Sequence, residues 1–287
     1  MSRNDKGLVW ITGAAGLIGS TLVKTAPAFA PGWRVRGLTR QDLDLLDFDA
    51  VRRRFQYEEP ALVIHCAAQT RTPWCEANPD LARMVNVDAT AALAELAADI
   101  PFIFFSTDLV FDGREGNYDE TSPVNPIGVY ARTKVEAEEA VQRHSRHTIV
   151  RIAINAGRSL TGDRAFNEQM RLAWQAGRTL DLFTDEYRCP MHALATCEAV
   201  WDLANQGLTG TFHIGGAEKL SRYQIGQLLA TRWPQLKPRI VPGLVKNYQG
   251  APRCPDVSLN CAKANKVLKK PLPKFSEWLV AHPNEIV

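Results

Sequence analysis

Tyr130 and Lys134 stand four residues apart in Tyr130-Ala131-Arg132-Thr133-Lys134, within an Ala/Glu/Lys-rich run over residues 129–144 that has the composition of a helix. Positions i and i+4 share one helical face, so the phenol and the ammonium can point into the same space. A cation beside a phenol favours the phenolate and lowers the tyrosine pKa from its ordinary value of about 10. A tyrosine tuned in this way can pass a proton to or from a substrate oxygen near neutral pH. The same spacing also arises on solvated helix faces that do no chemistry, so the neighbouring elements must decide between the two.

Those elements alternate. Residues 7–12 read as a short buried strand that runs into Gly13-Ala14-Ala15-Gly16-Leu17-Ile18-Gly19 and a helix ended by Pro27. A strand, a glycine-rich turn and a helix start make an anion cradle: free N–H groups and a positive dipole end, with glycines that let a pyrophosphate approach the backbone. An ordinary Gly-containing turn is the competing reading. The next strand, residues 33–38, ends in Thr39-Arg40 with Arg36 close by and no acid at its end. An acid there would suit the ribose hydroxyls of NAD, whereas an arginine suits a 2′-phosphate. NADP(H) is therefore the preferred cofactor, with NAD(H) admitted; Arg40 as a surface strand cap is the alternative. Asp44-Leu45 lies in a loop before a helix over residues 50–57. Residues 61–66 form another buried strand, whose end Ala67-Ala68-Gln69-Thr70 lies at the carboxyl edge where open α/β sheets bind ligands. A long helix is predicted from Asn78-Pro79 through Asn86 to residue 98, then a strand over residues 101–105 ending in Ser106-Thr107-Asp108. Residues 148–152 are the following strand.

This order predicts an α/β fold, a Rossmann-type doubly wound parallel sheet. Residues 1–156 form the cofactor-binding domain. Residues 157–287 form mainly a smaller, Pro/Gly-rich α/β substrate lobe with helices over 165–176 and 193–205. A strand over 211–214 is a late return to the main sheet. Of the 287 residues 34 are basic and 31 acidic, a net charge of +3, which argues for neither nucleic acid nor a membrane surface as partner. Six scattered cysteines form no CxxC pair, and Cys66 reads as a small buried hydrophobe. The apolar run near the N-terminus is too short for a signal segment or a membrane span, so a cytoplasmic location is expected. His192 and His213 lack the partners of a metal site.

Thr12-Gly13-x-x-Gly16-x-x-Gly19, Asn86, Ser106-Thr107 and Tyr130-x-x-x-Lys134 together resemble the extended short-chain dehydrogenase/reductase family. The runs Ser106-Thr107-Asp108-Leu109-Val110-Phe111-Asp112-Gly113 and Arg253-Cys254-Pro255-Asp256-Val257-Ser258-Leu259-Asn260 are similar to elements of its dTDP-4-dehydrorhamnose reductase branch. The resemblance implies that Tyr130 protonates a sugar alkoxide as hydride reaches C4. Lys134 would lower the tyrosine pKa and hold the nicotinamide ribose, and Thr107 would polarise the 4-keto oxygen. Gly13, Gly16, Leu17 and Ile18 would line the pyrophosphate, with Asp44 and Leu45 at the adenine. Ala67, Ala68 and Thr70 would border the cofactor ribose. Arg253 is the candidate for the diphosphate of a nucleotide-sugar substrate, with an unliganded surface arginine as the alternative, and Trp74 is a candidate pocket wall. A homodimer is compatible with the family.

Three positions depart from the branch pattern. Leu109 replaces a tyrosine, Pro73 stands where an acid is usual, and Cys254 replaces a proline. Two other functions share the motifs: an epimerase or dehydratase that retains NAD, and a non-catalytic subunit resembling the β subunit of methionine adenosyltransferase.

Overall fold

The computed structural model describes residues 6–283 and residue 285. Six strands form one parallel sheet: β1 (Leu8–Thr12), β2 (Arg34–Leu38), β3 (Leu62–His65), β4 (Phe102–Thr107), β5 (His147–Ile152) and β6 (Gly210–Ile214). Their order is β6-β5-β4-β3-β1-β2, with β1 second from the β2 edge and the chain winding outward from it in both directions. The first helices are α1 (Leu17–Phe29), α2 (Phe48–Glu58), α3 (Thr72–Ala77), α4 (Pro79–Arg83), α5 (Ala89–Leu96) and α6 (Val129–Gln142). The later ones are α7 (Phe166–Gln175), α8 (Ala193–Gln206), α9 (Arg222–Arg232), α10 (Ala262–Val267) and α11 (Phe275–Ala281).

Side chains alternate across a strand, and that alternation divides the core. Val9, Ile11, Leu62, Ile64, Ile103 and Phe105 face one side, against Leu22 and Ala26 of α1 and Val200 and Trp201 of α8. Trp10, Val63, Phe102 and Phe104 face the other, against Val51, Leu93, Ala137 and Val141 of α2, α5 and α6. A third cluster, with Trp174, Leu182, Ile225, Trp233 and Phe275, brings α7, α9 and α11 together.

Several elements differ from the sequence reading. Pro27 does not end α1; the helix runs to Phe29, because a proline this near the C-terminal end costs it little more than one backbone bond. The long helix after Asn78 is continuous in path but contains a π-turn at Met84–Asp88, and α3 precedes it with Pro73 in its first turn. The Pro/Gly-rich C-terminal region holds three helices that its composition hid: α9, α10 and α11. The return to the sheet is made by β6. Its outer edge is covered, since the His213 N–H donates to Glu120 at 2.9 Å and Lys263 Nζ donates to the Thr211 carbonyl at 2.6 Å.

Three of the buried histidines tie the layers together. His65 spans Thr12 (2.7 Å) and Thr90 (3.0 Å), His213 meets the Tyr118 carbonyl (3.0 Å), and His192 caps α8 and stacks on Trp278. Burial lowers their pKa values to about 3, 4 and 3 respectively. The folded pKa lies below the unfolded one in each case, so the unfolded chain binds more protons below pH ~6.5 and stability falls as pH falls through that window. At about 1.4 kcal/mol per unit and per group, stability is expected to drop by roughly 4 kcal/mol between pH 7.5 and 5.5. Urea midpoints at the two pH values check this, and equal midpoints would refute it.

Candidate active site

The β1–α1 turn is shaped for an anion. Gly13 has φ +68°, and a Cβ there would lie 2.7 Å from the Ala67 backbone nitrogen. A Cβ on Gly19 would lie 2.3 Å from the Gly13 carbonyl oxygen, so both positions exclude side chains. Gly16 is the N-cap of α1, and no side chain caps the helix. The first N–H groups of a helix have no partner within it, and here they face a glycine floor. The residues present therefore fit a dinucleotide pyrophosphate. Ala67 and Ala68, half-buried, continue the wall from the end of β3, where the Ala67 N–H meets Thr12 Oγ1 at 3.3 Å; Thr70 is exposed beyond them.

At the end of β2, Arg40 is exposed and pairs with Asp44 at 3.3 Å, while Arg36 is taken by Glu58 at 2.6 Å. Arg40 is thus the freer of the two. An acid does lie nearby. Asp42 is turned back on Thr39, accepting its N–H at 2.9 Å and its hydroxyl at 2.6 Å. Those bonds hold its carboxyl below the ordinary range and both fall on one oxygen, Oδ2, turning the carboxylate back onto its own loop. Asp44 Oδ1 accepts the Leu46 N–H and keeps Leu45 in the loop before α2.

Thr107 ends β4, and Tyr130 and Lys134 lie one turn apart on α6, all three buried. The start of α6 is fixed by Glu76 of α3, which accepts the Val129 N–H at 2.7 Å; a Cβ on Gly128 would lie 2.9 Å from the same carboxylate oxygen. The π-turn holds the other side. Asn86 Nδ2 donates to the Gln69 carbonyl and to Thr133 Oγ1 (3.1 and 3.0 Å), and Thr133 Oγ1 donates to the Tyr130 carbonyl (2.7 Å). Cys75, Trp74, Leu109 and Val129 wall the phenol ring, which locates Trp74 and Leu109 beside Tyr130. Pro73 lies in the first turn of α3, and Cys254 is buried with its carbonyl facing Arg188.

The electrostatics differ from the helical-spacing expectation. Lys134 does not lower the Tyr130 pKa: its Nζ lies over the Phe104 ring, 3.8 Å from the centroid. Burial, and then the carboxylate of Asp108, raise the phenol well above its usual range, against a lowering from the Thr107 hydroxyl. Tyr130 therefore keeps its proton at ordinary pH. Burial also brings Lys134 down to about 7, against the pull of Glu138 and Cys66. Cys66 is half-buried, and burial raises its thiol far above the usual range.

Arg253 is reached through a chain of charges. It donates to Glu186 (3.0 Å) and lies against the edge-to-face pair of Phe183 and Tyr248, 4.9 and 5.1 Å from their centroids. Glu186 is paired with Arg188 at 3.0 Å, and Arg188 Nε approaches Asp108 Oδ2 at 3.8 Å, beside Thr107. With Arg222 in the same cluster, three guanidinium groups face two carboxylates, leaving a positive excess. The sequence reading missed Glu76, Glu186 and Arg188. Glu186-x-Arg188 ahead of Cys189-Pro190 was the only local signal, and Glu76 had none.

Comparison with known proteins agrees with this geometry. A reductase of Haloferax volcanii, described as probable low-salt glycan biosynthesis reductase Agl14, is 33% identical over 234 residues, covering 76% of this chain and 77% of the relative. The methionine adenosyltransferase 2 subunit beta of Bos taurus is 29% identical over 269 residues, 89% of this chain and 80% of that one. The crystal structure of a dTDP-4-dehydrorhamnose reductase from Clostridium acetobutylicum superposes with a TM-score of 0.87 at 26% identity, covering 95% of this chain and 96% of the other. The pattern described as RmlD substrate binding domain matches residues 7–286, from the glycine before β1 to beyond α11. That match spans the cradle and the buried Thr107, Tyr130 and Lys134, and the chain belongs to the RmlD substrate-binding-domain family.

Proposed function

We propose that the protein is an NADP(H)-dependent reductase of a 4-keto nucleotide-sugar. One observation carries the reading: the buried Tyr130 phenol, kept protonated, stands beside the Thr107 hydroxyl at the edge that also bears the cradle. A family relationship alone does not fix an activity, so the site has to carry the argument. Gly13, Gly16, Leu17 and Ile18 would hold the dinucleotide's pyrophosphate, with Ala67, Ala68, Thr70 and Lys134 toward the nicotinamide ribose and Asp44 and Leu45 at the adenine. When bound, that cofactor supplies a hydride for the substrate carbonyl.

The chain's own residues do the rest. Thr107 hydrogen-bonds the keto oxygen, and Tyr130 donates its proton as negative charge develops there. Arg253, with Arg188 and Arg222 behind it, suits the diphosphate of the substrate, since guanidinium pairs bidentately with phosphate. The direct test is NADPH oxidation with a panel of 4-keto sugar nucleotides. Silence across the panel, with co-purification of a catalytic partner, would favour a binding subunit like the methionine adenosyltransferase relative. Turnover on tightly bound NAD without added NADPH would favour an epimerase or dehydratase.

Arg40 is proposed to meet the 2′-phosphate. Arg40→Ala is expected to raise the KM for NADPH at least about tenfold, the size of one lost charge-assisted contact, while changing that for NADH less than twofold. Equal effects on both cofactors would remove Arg40 from the 2′-phosphate site.

A further inference from the structure

Asp108 is the one acid in direct contact with the catalytic threonine, and the reductase mechanism leaves it without a task. It is 2% exposed. The Thr107 hydroxyl donates to its Oδ1 at 3.2 Å, and the Leu109 N–H donates to Thr107 Oγ1 at 3.2 Å. Its other oxygen, Oδ2, is buried and has no hydrogen-bond partner among the described residues. The nearest cation, Arg188, is 3.8 Å away and more closely engaged with Glu186 at 3.0 Å.

A threonine hydroxyl has one hydrogen to give and two lone pairs. While Asp108 is ionised, its charge draws that hydrogen inward, and Thr107 offers Tyr130 and the substrate oxygen only a lone pair. Once Asp108 is protonated the acid can donate to Thr107 Oγ1. The Leu109 N–H fills the second lone pair, and the threonine hydrogen is then released toward Tyr130 and the keto oxygen. We propose that Asp108 is a positioning residue whose protonation turns the Thr107 hydroxyl toward the reacting oxygen and whose ionisation turns it away. The inference rests on the reductase reading for its substrate, but the hydrogen-bond reversal itself belongs to the resting protein.

Burial raises the Asp108 carboxyl to about 6, opposed first by Arg188 and then by the Thr107 hydrogen bond. The groups that face it are Arg188, Glu186 and Arg222, with Tyr130 across the site and the thiols of Cys189 and Cys254 behind. Both thiols are raised to about 11, so neither changes charge in the window where Asp108 does.

The test is the pH profile of kcat for NADPH-dependent reduction in the wild type, Asp108→Asn and Thr107→Ser. The wild type and Thr107→Ser are expected to lose about tenfold in kcat between pH 5 and 7, as a single acid ionises. Asp108→Asn, which can still donate a hydrogen to Thr107, should change less than twofold over the same range. An unchanged tenfold fall in Asp108→Asn would overturn the proposal. Infrared spectra separate this outcome from failure of the reductase reading, because they need no turnover. In difference spectra against Asp108→Asn, a carboxylic acid C=O band should be present at pH 5, fade by pH 7, and shift in Thr107→Val. A protein that is inactive on every sugar yet shows that band refutes only the reductase reading. Absence of the band, or a band indifferent to Thr107→Val, refutes the role of Asp108.

Discussion

Tyr130→Phe is expected to lower kcat by about a thousandfold, within the usual range for loss of a positioned acid, while cofactor affinity stays within about twofold of the wild type. The ring should stay in place. Cys75, Trp74, Leu109 and Val129 pack against it, and phenylalanine keeps all of those contacts. Only the hydroxyl is lost, and with it the proton donor beside Thr107. Because burial and Asp108 hold the phenol protonated far into the basic range, the wild type should show no loss of activity near neutrality from ionisation of Tyr130. Rapid-mixing measurement of hydride transfer, with cofactor binding followed by fluorescence, checks both parts. A variant within tenfold of the wild type would take Tyr130 out of the mechanism.

Lys134→Met is expected to abolish turnover and to make the protein more stable. The ammonium is 2% exposed, and its surroundings are the Phe104 face, Cys66 and Glu138. A cation–π contact returns part of the desolvation cost of the charge but not all of it. The sign follows from linkage. The folded pKa, about 7, lies below the ordinary 10.5, so between those values the unfolded chain holds the proton more tightly. The wild type is therefore penalised most at and below pH 7, and the penalty vanishes as pH rises through 10.5. Methionine fills nearly the same volume with no charge, and about 2 kcal/mol of added stability is expected near pH 7, or several degrees in Tm. The difference in Tm between variant and wild type should narrow steadily from pH 7 to pH 10. A less stable variant, or a gap that widens with pH, would show that Lys134 stabilises the fold.

What the sequence revealed was local in kind. The glycine cradle, the Tyr-x-x-x-Lys spacing and the buried strands are each set by a few consecutive residues, and the alternation of strands and helices then fixes one doubly wound sheet. The misreadings have a common cause, since they concern what one segment does to another. Helical spacing puts Lys134 and Tyr130 on one face, but Phe104 of β4 decides where the ammonium lies, and Asp108 adds to the burial that sets the direction of the tyrosine shift. Glu76 looks like an ordinary surface acid until α3 is packed against the start of α6. Arg253 was recognised by type, whereas Glu186 and Arg188, which connect it to Thr107, are brought together only by the fold. The C-terminal helices were obscured by their proline-rich surroundings, although Ser221 and Gln224 form a capping box at the start of α9.

The position of β6 bears on how the chain is made. Its hydrogen-bonding partner, β5, ends at Ile152, yet the strand that covers that edge does not begin until Gly210. While the ribosome adds the intervening residues, the nascent chain carries an open parallel edge. The groups that shield β6 in turn are split as well, with Glu120 already present and Lys263 still to come. An unpaired edge of this kind is a template for another chain. A fragment stopped at residue 156 is expected to leave that β5 edge open and to aggregate through it, which light scattering beside the full chain would check.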